Sequence, residues 1–163
     1  KLNCKENFKI IVLYLQNDPM DEAEQFLYQT VLFYNLTLLI IDASEGFIKA
    51  CFEFNRCHPH RRICLMGNRL TDSESKSGTH FQTTDKDWPK FLRVYPILNF
   101  SYTDVWEYIN RYKVPYCQLY EKGYTSIGKK SKTAKNENLR IGESSQFLPA
   151  CTLSQFASER QFR

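Results

Sequence analysis

The sequence predicts an α/β domain with an open, mainly parallel sheet and helices on both faces. Three observations carry this. Residues 8–15, 36–41 and 62–66 form short, nearly continuous apolar runs, as expected of strands covered on both sides. Two amphipathic segments separate them. The links are short, so each strand returns beside the last through a right-handed crossover.

The first run, Phe-Lys-Ile-Ile-Val-Leu-Tyr-Leu from Phe8 to Leu15, is rich in β-branched and aliphatic residues. After Asp18-Pro19, apolar positions Ala23, Phe26, Leu27, Val31 and Tyr34 recur at helical spacing. Asp21, Glu22 and Glu24 sit where the positive end of a helix dipole favours acids. Leu36–Ile41 is the second strand, and Ser44-Glu45 opens a second helix carrying Phe47, Ile48, Cys51 and Phe52 on one side. Arg62–Met66 is the third strand. The polar stretch from Gly67 to Lys86 exceeds most connections in a compact domain. Ser101 and Asp104 form a capping-box pair ahead of a helix whose buried face is Val105, Trp106, Ile109 and Tyr112, closed by Pro115. Beyond Tyr116 only short pieces are expected: a helical turn at 118–121, a loop at 123–135 and a short helix around 153–160. All three apolar strands are expected side by side in one sheet of a single domain over residues 1–163.

With 163 residues, 42% hydrophobic and 15% aromatic, the chain has material for one core. Its longest apolar stretch falls far short of the roughly 20 residues needed to cross a bilayer, and the N-terminus shows no secretory pattern. A soluble, cytoplasmic protein is therefore expected. Six cysteines are dispersed singly with no Cys-x-x-Cys, which favours reduced thiols. Cys57-His58-Pro59-His60 fits no common zinc spacing, so no protein-held metal is assigned. Residues 121–140 hold six basic and two acidic residues, an excess equal to the whole net charge of +4. One such segment on a neutral body reads as a solvated loop, with a polyphosphate contact as the sharper alternative, and not as a nucleic-acid surface.

Four clusters can carry chemistry. Gly67-Asn68-Arg69-Leu70-Thr71-Asp72 follows a strand: glycine permits a turn and close approach, arginine can fork onto phosphate, and aspartate can accept from a ribose, a base or metal-bound water. In Phe81-Gln82-Thr83-Thr84-Asp85-Lys86-Asp87-Trp88-Pro89, a planar heterocycle could stack on Trp88 while Asp85 accepts its ring N–H. The alternative is that Trp88 plugs the core beneath a long loop. Arg93 interrupts an apolar strand, where a buried arginine must be paired or face an anion. Arg160 and Arg163 lie three apart, which on a helix lets them grip one phosphate; a frayed basic tail is the other reading.

In order, these segments resemble the eukaryotic-type FAD synthases, the FMN adenylyltransferases of the PAPS reductase-like, PP-loop ATP pyrophosphatase superfamily. The resemblance runs from about Phe8 to Arg163 through residues 65–72, 81–106, 114–128 and 159–163. It implies an adenine nucleotide alpha hydrolase-like fold with an extended C-terminal segment. The reaction implied is attack of the FMN phosphate on the α-phosphorus of ATP, giving FAD and pyrophosphate, with magnesium on the phosphates.

The same resemblance implies nucleotide binding by Gly67, Asn68, Arg69 and Asp72, flavin binding by Phe81, Asp85, Trp88 and Arg93, and catalytic roles for Asp72, Arg160 and Arg163. The partners implied are small molecules, with no nucleic acid or membrane, and the basic 121–140 loop becomes a lid or rim. Nothing in the chain matches the family's N-terminal strand and Ser-Phe-Asn-Gly-Gly-Lys-Asp-like PP-loop, and position 1 falls near the family's second strand. Asn68 and Ser73 stand where the family usually has Arg or Ile, and Pro. A non-catalytic flavin or nucleotide binder is the alternative. A sulfonucleotide reductase is more remote, because Cys151 lies between Ala150 and Thr152 with no histidine following.

Overall fold

The computed structural model describes residues 9–72, 78–154 and 156–162. The first apolar run forms β1 (Ile11–Gln16), and after the acid-rich turn the chain winds into α1 (Asp21–Phe33). Strand β2 (Thr37–Asp42) returns parallel to β1, with Ile11 opposite Thr37 and Gln16 opposite Asp42. Helix α2 (Phe47–Cys57) follows, burying Ala50 and Phe54. Then come β3 (Ile63–Leu65), β4 (Phe81–Thr83), β5 (Leu92–Val94) and α3 (Tyr102–Tyr112), and the C-terminal part carries four short 3₁₀ turns. The fold is the expected α/β type, with parallel pairs joined through helices.

The sequence misplaces one neighbour. Among the described residues, hydrogen bonding joins β1 to β2 alone, whereas β3 pairs parallel with β5, which also takes β4 on its other edge in antiparallel register. Apolarity identifies a strand but carries no information about its partner. The β3–β5 pairing is set by long-range bonds at the ladder ends, Leu92 N–H to the Arg62 carbonyl at 2.7 Å and Met66 N–H to the Val94 carbonyl at 2.8 Å. The strands are also less covered than expected: β1 is half-buried along its length, and Ile63 and Leu65 are 68% and 61% exposed. Strand β4 falls inside the segment read as a loop, because three residues are too short to show a period of two.

Helix α3 follows the sequence closely. The Ser101 hydroxyl accepts the Asp104 amide at 3.1 Å and the Asp104 carboxylate accepts the Ser101 amide at 2.7 Å, closing the capping box. The helix ends at Lys113, in the left-handed region (φ 52°), with Val114 N–H reaching back to the Ile109 carbonyl, two residues before the proline expected to end it. Tyr112, expected inside, is 59% exposed and packs on Tyr108, because the last turn runs past the core.

That core lies in the second half of the chain. Tyr102 and Trp106 of α3 pack with Leu139, Ala150 and Leu153. Trp106 meets Tyr116 and Tyr120 edge-on at ring distances of 5.3 and 5.7 Å. A second cluster of Met20, Cys117 and Leu119 joins this region to Ala23 and Phe26 of α1. Gly123 threads between them: its φ is +89°, and a Cβ there would lie 2.5 Å from the Phe147 Cβ, so no larger residue fits. Of the helix expected around 153–160, the described residues show one 3₁₀ turn, Phe156–Ser158, with another, Ala150–Thr152, just before it, where the Thr152 hydroxyl donates to the Pro149 carbonyl at 2.7 Å. Cys51, Cys57, Cys64, Cys117 and Cys151 are free thiols, while Cys4 lies outside the described residues. No helix among the described residues is long and apolar enough to cross a membrane.

Candidate functional site: a crossed pair of ion contacts beside the strand ends

Leaving β3, the chain turns through Gly67 and Asn68 and is pinned by the Leu70 amide on the Leu98 carbonyl at 2.8 Å. Gly67 has no positive φ, and a Cβ there would meet nothing within 4 Å, so the local backbone does not itself require glycine. Arg69 and Asp72 close a tight loop: the Arg69 amide donates to Asp72 Oδ2 at 2.8 Å, and the Asp72 amide to the Arg69 carbonyl at 2.9 Å. Both residues are buried, at 5% and 3% exposure.

Ions this deep must be paired, and the partners come from the C-terminus. Arg69 Nη2 donates to both carboxylate oxygens of Glu159 at 2.6 Å, and Arg160 Nη2 lies 3.0 Å from Asp72 Oδ1. Arg69 Nη2 is also 3.6 Å from Asp72 Oδ1. Burial works most strongly against the charge on Arg69, but the Glu159 carboxylate, with smaller help from Asp72, offsets it, and together they hold its pKa above the ordinary arginine value. Arg160 thus folds back onto the loop and does not fray; Arg163 lies outside the described residues.

The turn carrying these two residues is anchored from inside. The Thr125 hydroxyl donates to the Glu159 carbonyl at 2.7 Å, and the fully buried Asn136 donates through Nδ2 to Thr125 Oγ1 and to the Ser158 carbonyl, each at 3.1 Å. Ala134 N–H reaches the Phe162 carbonyl at 2.8 Å. Segment 121–140 is therefore not simply a solvated loop: Gly123, Thr125, Asn136 and Leu139 are interior, and mainly its charged side chains face out. Sequence reasoning missed Glu159, Thr125 and Asn136. Glu159 had one available signal, the need of a buried Arg69 for a carboxylate; a buried Asn or Thr in a polar stretch gives none.

The second group of site residues gathers on the β4–β5 ribbon. Arg93 stands opposite Gln82, donates to the Thr83 carbonyl at 3.0 Å and lies 3.7 Å from the exposed Asp85 carboxylate. Its Nε is buried without a hydrogen-bond partner. Trp88 N–H bonds the Asp85 carbonyl at 3.1 Å, and Thr84 closes the turn on Pro89 and Phe91. Trp88 is half-buried and does not belong to either core cluster of the described residues. The pleat separates Phe81, which pairs with Val94, from Gln82 and Arg93 on the other face of the ribbon. Phe81 is 64% exposed there.

A cavity of about 440 Å³ opens at the carboxyl end of β1, where open parallel sheets bind ligands. Tyr14, Met20, Phe47 and Ile127 give it apolar walls, and Asn17, Lys129 and Lys132 give it polar ones. Its rim is tied down by Asp18, in the left-handed region at φ 54°, whose carboxylate accepts the Ser131 hydroxyl and amide at 2.5 and 2.9 Å. These bonds from Ser131, side chain first and backbone second, hold the Asp18 carboxyl below its usual 3.8. A carboxylate whose folded pKa is depressed stabilises the fold above its unfolded pKa and loses that contribution as pH falls through the folded value. The tether should therefore be complete at neutral pH and be lost only below the ordinary 3.8. Protection of the Ser131 amide from exchange, measured against its intrinsic rate at each pH, should fall in that acid range, and Asp18→Ala should show the lowered protection already at neutral pH.

The polar groups lie near the loop ends of parallel strand pairs linked through helices, the region where α/β folds place their ligand sites. The chain belongs to the phosphoadenosine phosphosulfate reductase domain family, matching it over residues 2–135. It is 40% identical over 159 residues to a probable FAD synthase of Caenorhabditis elegans, covering 95% of this chain and 30% of that protein. It is 36% identical over 146 residues to a probable FAD synthase of Schizosaccharomyces pombe, covering 90% of this chain and 54% of that one. The chain thus spans between 30% and 54% of the length of these relatives. The fold superposes on Candida glabrata FMN adenylyltransferase in complex with FMN and an ATP analogue with a TM-score of 0.85 at 22% identity, over 94% of this chain and 68% of that one.

Proposed function

We propose that the polypeptide carries out FAD synthesis, transferring AMP from ATP to FMN and releasing pyrophosphate. The observation that carries this reading is the return of Arg160 to Asp72 beside Arg69, which gathers two arginines 91 positions apart at one loop. The names borne by the relatives support it. In this reaction an oxygen of the FMN phosphate attacks the α-phosphorus, a P–O bond forms, and the bond to the β-phosphate breaks. The nucleophile is already ionised at neutral pH, so the step needs no general base; it needs alignment and neutralisation of charge.

Arg69, Arg160 and Arg163 supply that positive charge, and Asp72 orients the first two. Gly67 and Asn68 give the loop its close approach to the nucleotide. Asp85 accepts the flavin ring N–H and Trp88 stacks on the ring, with Arg93 beside Asp85 and Phe81 at the ribbon edge, on the face opposite Arg93. The β1 cavity suits a planar base, with Lys129 and Lys132 at the phosphate side.

Among the described residues no group of three or more His, Cys, Asp or Glu could hold a metal, and Asp72 is taken up by Arg69 and Arg160. These residues do not form a magnesium site; magnesium belongs with the substrate, on the phosphates of ATP. Residues 1–163 act in this reading as one PAPS reductase-like unit on small molecules in the cytoplasm. The occupation of Arg69 by Glu159 favours a second reading, a binder of flavin and nucleotide that does not turn them over. A reductase is disfavoured by Cys151, whose thiol is pushed up by burial and by Glu121, the opposite of an activated nucleophile.

Mass-spectrometric detection of FAD after incubating the full-length protein with FMN, ATP and magnesium decides between the first two. FAD and pyrophosphate in equal amounts are expected; binding of both substrates without product would leave only the binder. Trp88→Ala should weaken FMN binding by about 1–3 kcal/mol, the scale of a lost aromatic stacking partner. Flavin fluorescence titration reads this directly, and equal affinities would remove Trp88 from the flavin site.

A further inference from the structure

We propose that Glu159 is a positioning residue, which fixes the guanidinium of Arg69 and so makes the nucleotide loop and the C-terminal turn one unit. Its kinetic consequence rests on the adenylyl-transfer reading. Two neighbours of opposite charge on the turn, Glu159 and Arg160, meet two residues of opposite charge on the loop, Arg69 and Asp72. A one-residue slip of the tail in one direction would bring Arg160 to Arg69 and in the other Glu159 to Asp72, like charge against like either way, so the pattern admits one register. The Arg69 and Glu159 side chains are only 6% and 17% exposed, so the pairing is shielded from water and salt.

The Glu159 backbone is held at the same time, its carbonyl accepting from Thr125 Oγ1 at 2.7 Å. A carboxylate placed by an interior hydroxyl and gripping one guanidinium nitrogen with both oxygens gives that arginine a single orientation. A phosphate arriving at Arg69 then meets a group whose ordering cost is already met by the fold. The opposite role is also chemically definable: Glu159 could occupy Arg69 in place of the phosphate, as a competitor.

The test compares wild type, Glu159→Gln, Arg69→Met and the double variant as full-length proteins. Misplacing a positioning group costs on the order of 100-fold, and that fall in kcat/KM for ATP is expected for Glu159→Gln, with KM for FMN held to about twofold. The double variant should be no worse than Arg69→Met alone, because Glu159 acts through Arg69. A merely structural role would lower the rate with both substrates alike and add to the Arg69 variant. Amide exchange at Arg69 and Asp72 is read in parallel and should accelerate about tenfold in Glu159→Gln if the clasp holds that loop closed.

In a protein that makes FAD, unchanged or increased kcat/KM in Glu159→Gln overturns the proposal, an increase assigning Glu159 the competitor role. If wild type makes no FAD, the adenylyl-transfer reading fails by itself. The exchange comparison then decides: faster exchange in Glu159→Gln supports the clasp, and unchanged exchange overturns it.

Discussion

On the adenylyl-transfer reading proposed above, Arg160→Ala should lower the turnover of FAD formation on the order of 100-fold or more, with a much smaller rise in KM for either substrate. Removing one preorganised donor from developing charge typically costs that much, and an arginine that neutralises a phosphoryl-transfer transition state contributes more. The effect falls on turnover because the charge it meets grows as the α-phosphorus is attacked. The fold should survive the change. Asp72 keeps the Arg69 amide at 2.8 Å and the Arg69 guanidinium at 3.6 Å, and the Arg160 side chain is 41% exposed, so its pairing is partly screened. Arg160→Lys keeps a charge but loses the planar fork, and should recover only part of the rate. Steady-state kinetics at fixed ionic strength, beside thermal unfolding of each variant, gives the answer. Wild-type turnover in Arg160→Ala would reduce the Arg160–Asp72 contact to a structural tie.

What the sequence makes legible follows the range of the interaction that sets each feature. The α3 cap is readable because Ser101 and Asp104 are three apart and need nothing else. Helix α1 is announced by its acidic first turn and strand β1 by its aliphatic run for the same reason. The pairing of β3 with β5 is not readable, since it joins residues 29 apart through backbone atoms that carry no side-chain signature. Within the site, Arg69 and Asp72 share one motif and Arg160 belongs to another, and only the folded chain brings Arg160 to Asp72 across 88 positions. Glu159 stood in plain view beside Arg160, but its carboxylate has meaning only once Arg69 is known to be buried. Asn136 gave no signal, because an asparagine in a lysine-rich stretch reads as solvated until its environment is seen.

Asn136→Ala should be among the most destabilising single changes in the described chain, by roughly 2–5 kcal/mol, since each buried polar group left without a partner costs about 1–3 kcal/mol. The side chain, 0% exposed, donates to Thr125 Oγ1 and the Ser158 carbonyl and accepts the Asn138 amide at 3.0 Å. That third bond identifies which end of the amide is oxygen, because a backbone N–H can only donate. Alanine removes all three bonds, strands the Asn138 amide and leaves a cavity, while the Ser158 carbonyl keeps the Gln161 amide at 3.1 Å and the Thr125 hydroxyl keeps the Glu159 carbonyl at 2.7 Å. Asn136→Asp should be no better: it keeps the acceptor for Asn138 but turns a carboxylate oxygen toward the Ser158 carbonyl, acceptor against acceptor. The loss should also reach the site. Ser158 ends the Phe156–Ser158 turn, the next two residues are Glu159 and Arg160, and Thr125 holds both Asn136 and the Glu159 carbonyl. Denaturant unfolding should therefore show a lower midpoint, and FAD formation well below the melting range should fall with it, because the turn loosens before the α3 core does. A midpoint within about 0.5 kcal/mol of wild type, the range of a neutral surface change, would mean that Asn136 does not anchor the tail, and that the ion contacts at Arg69 and Asp72 hold the C-terminal turn by themselves.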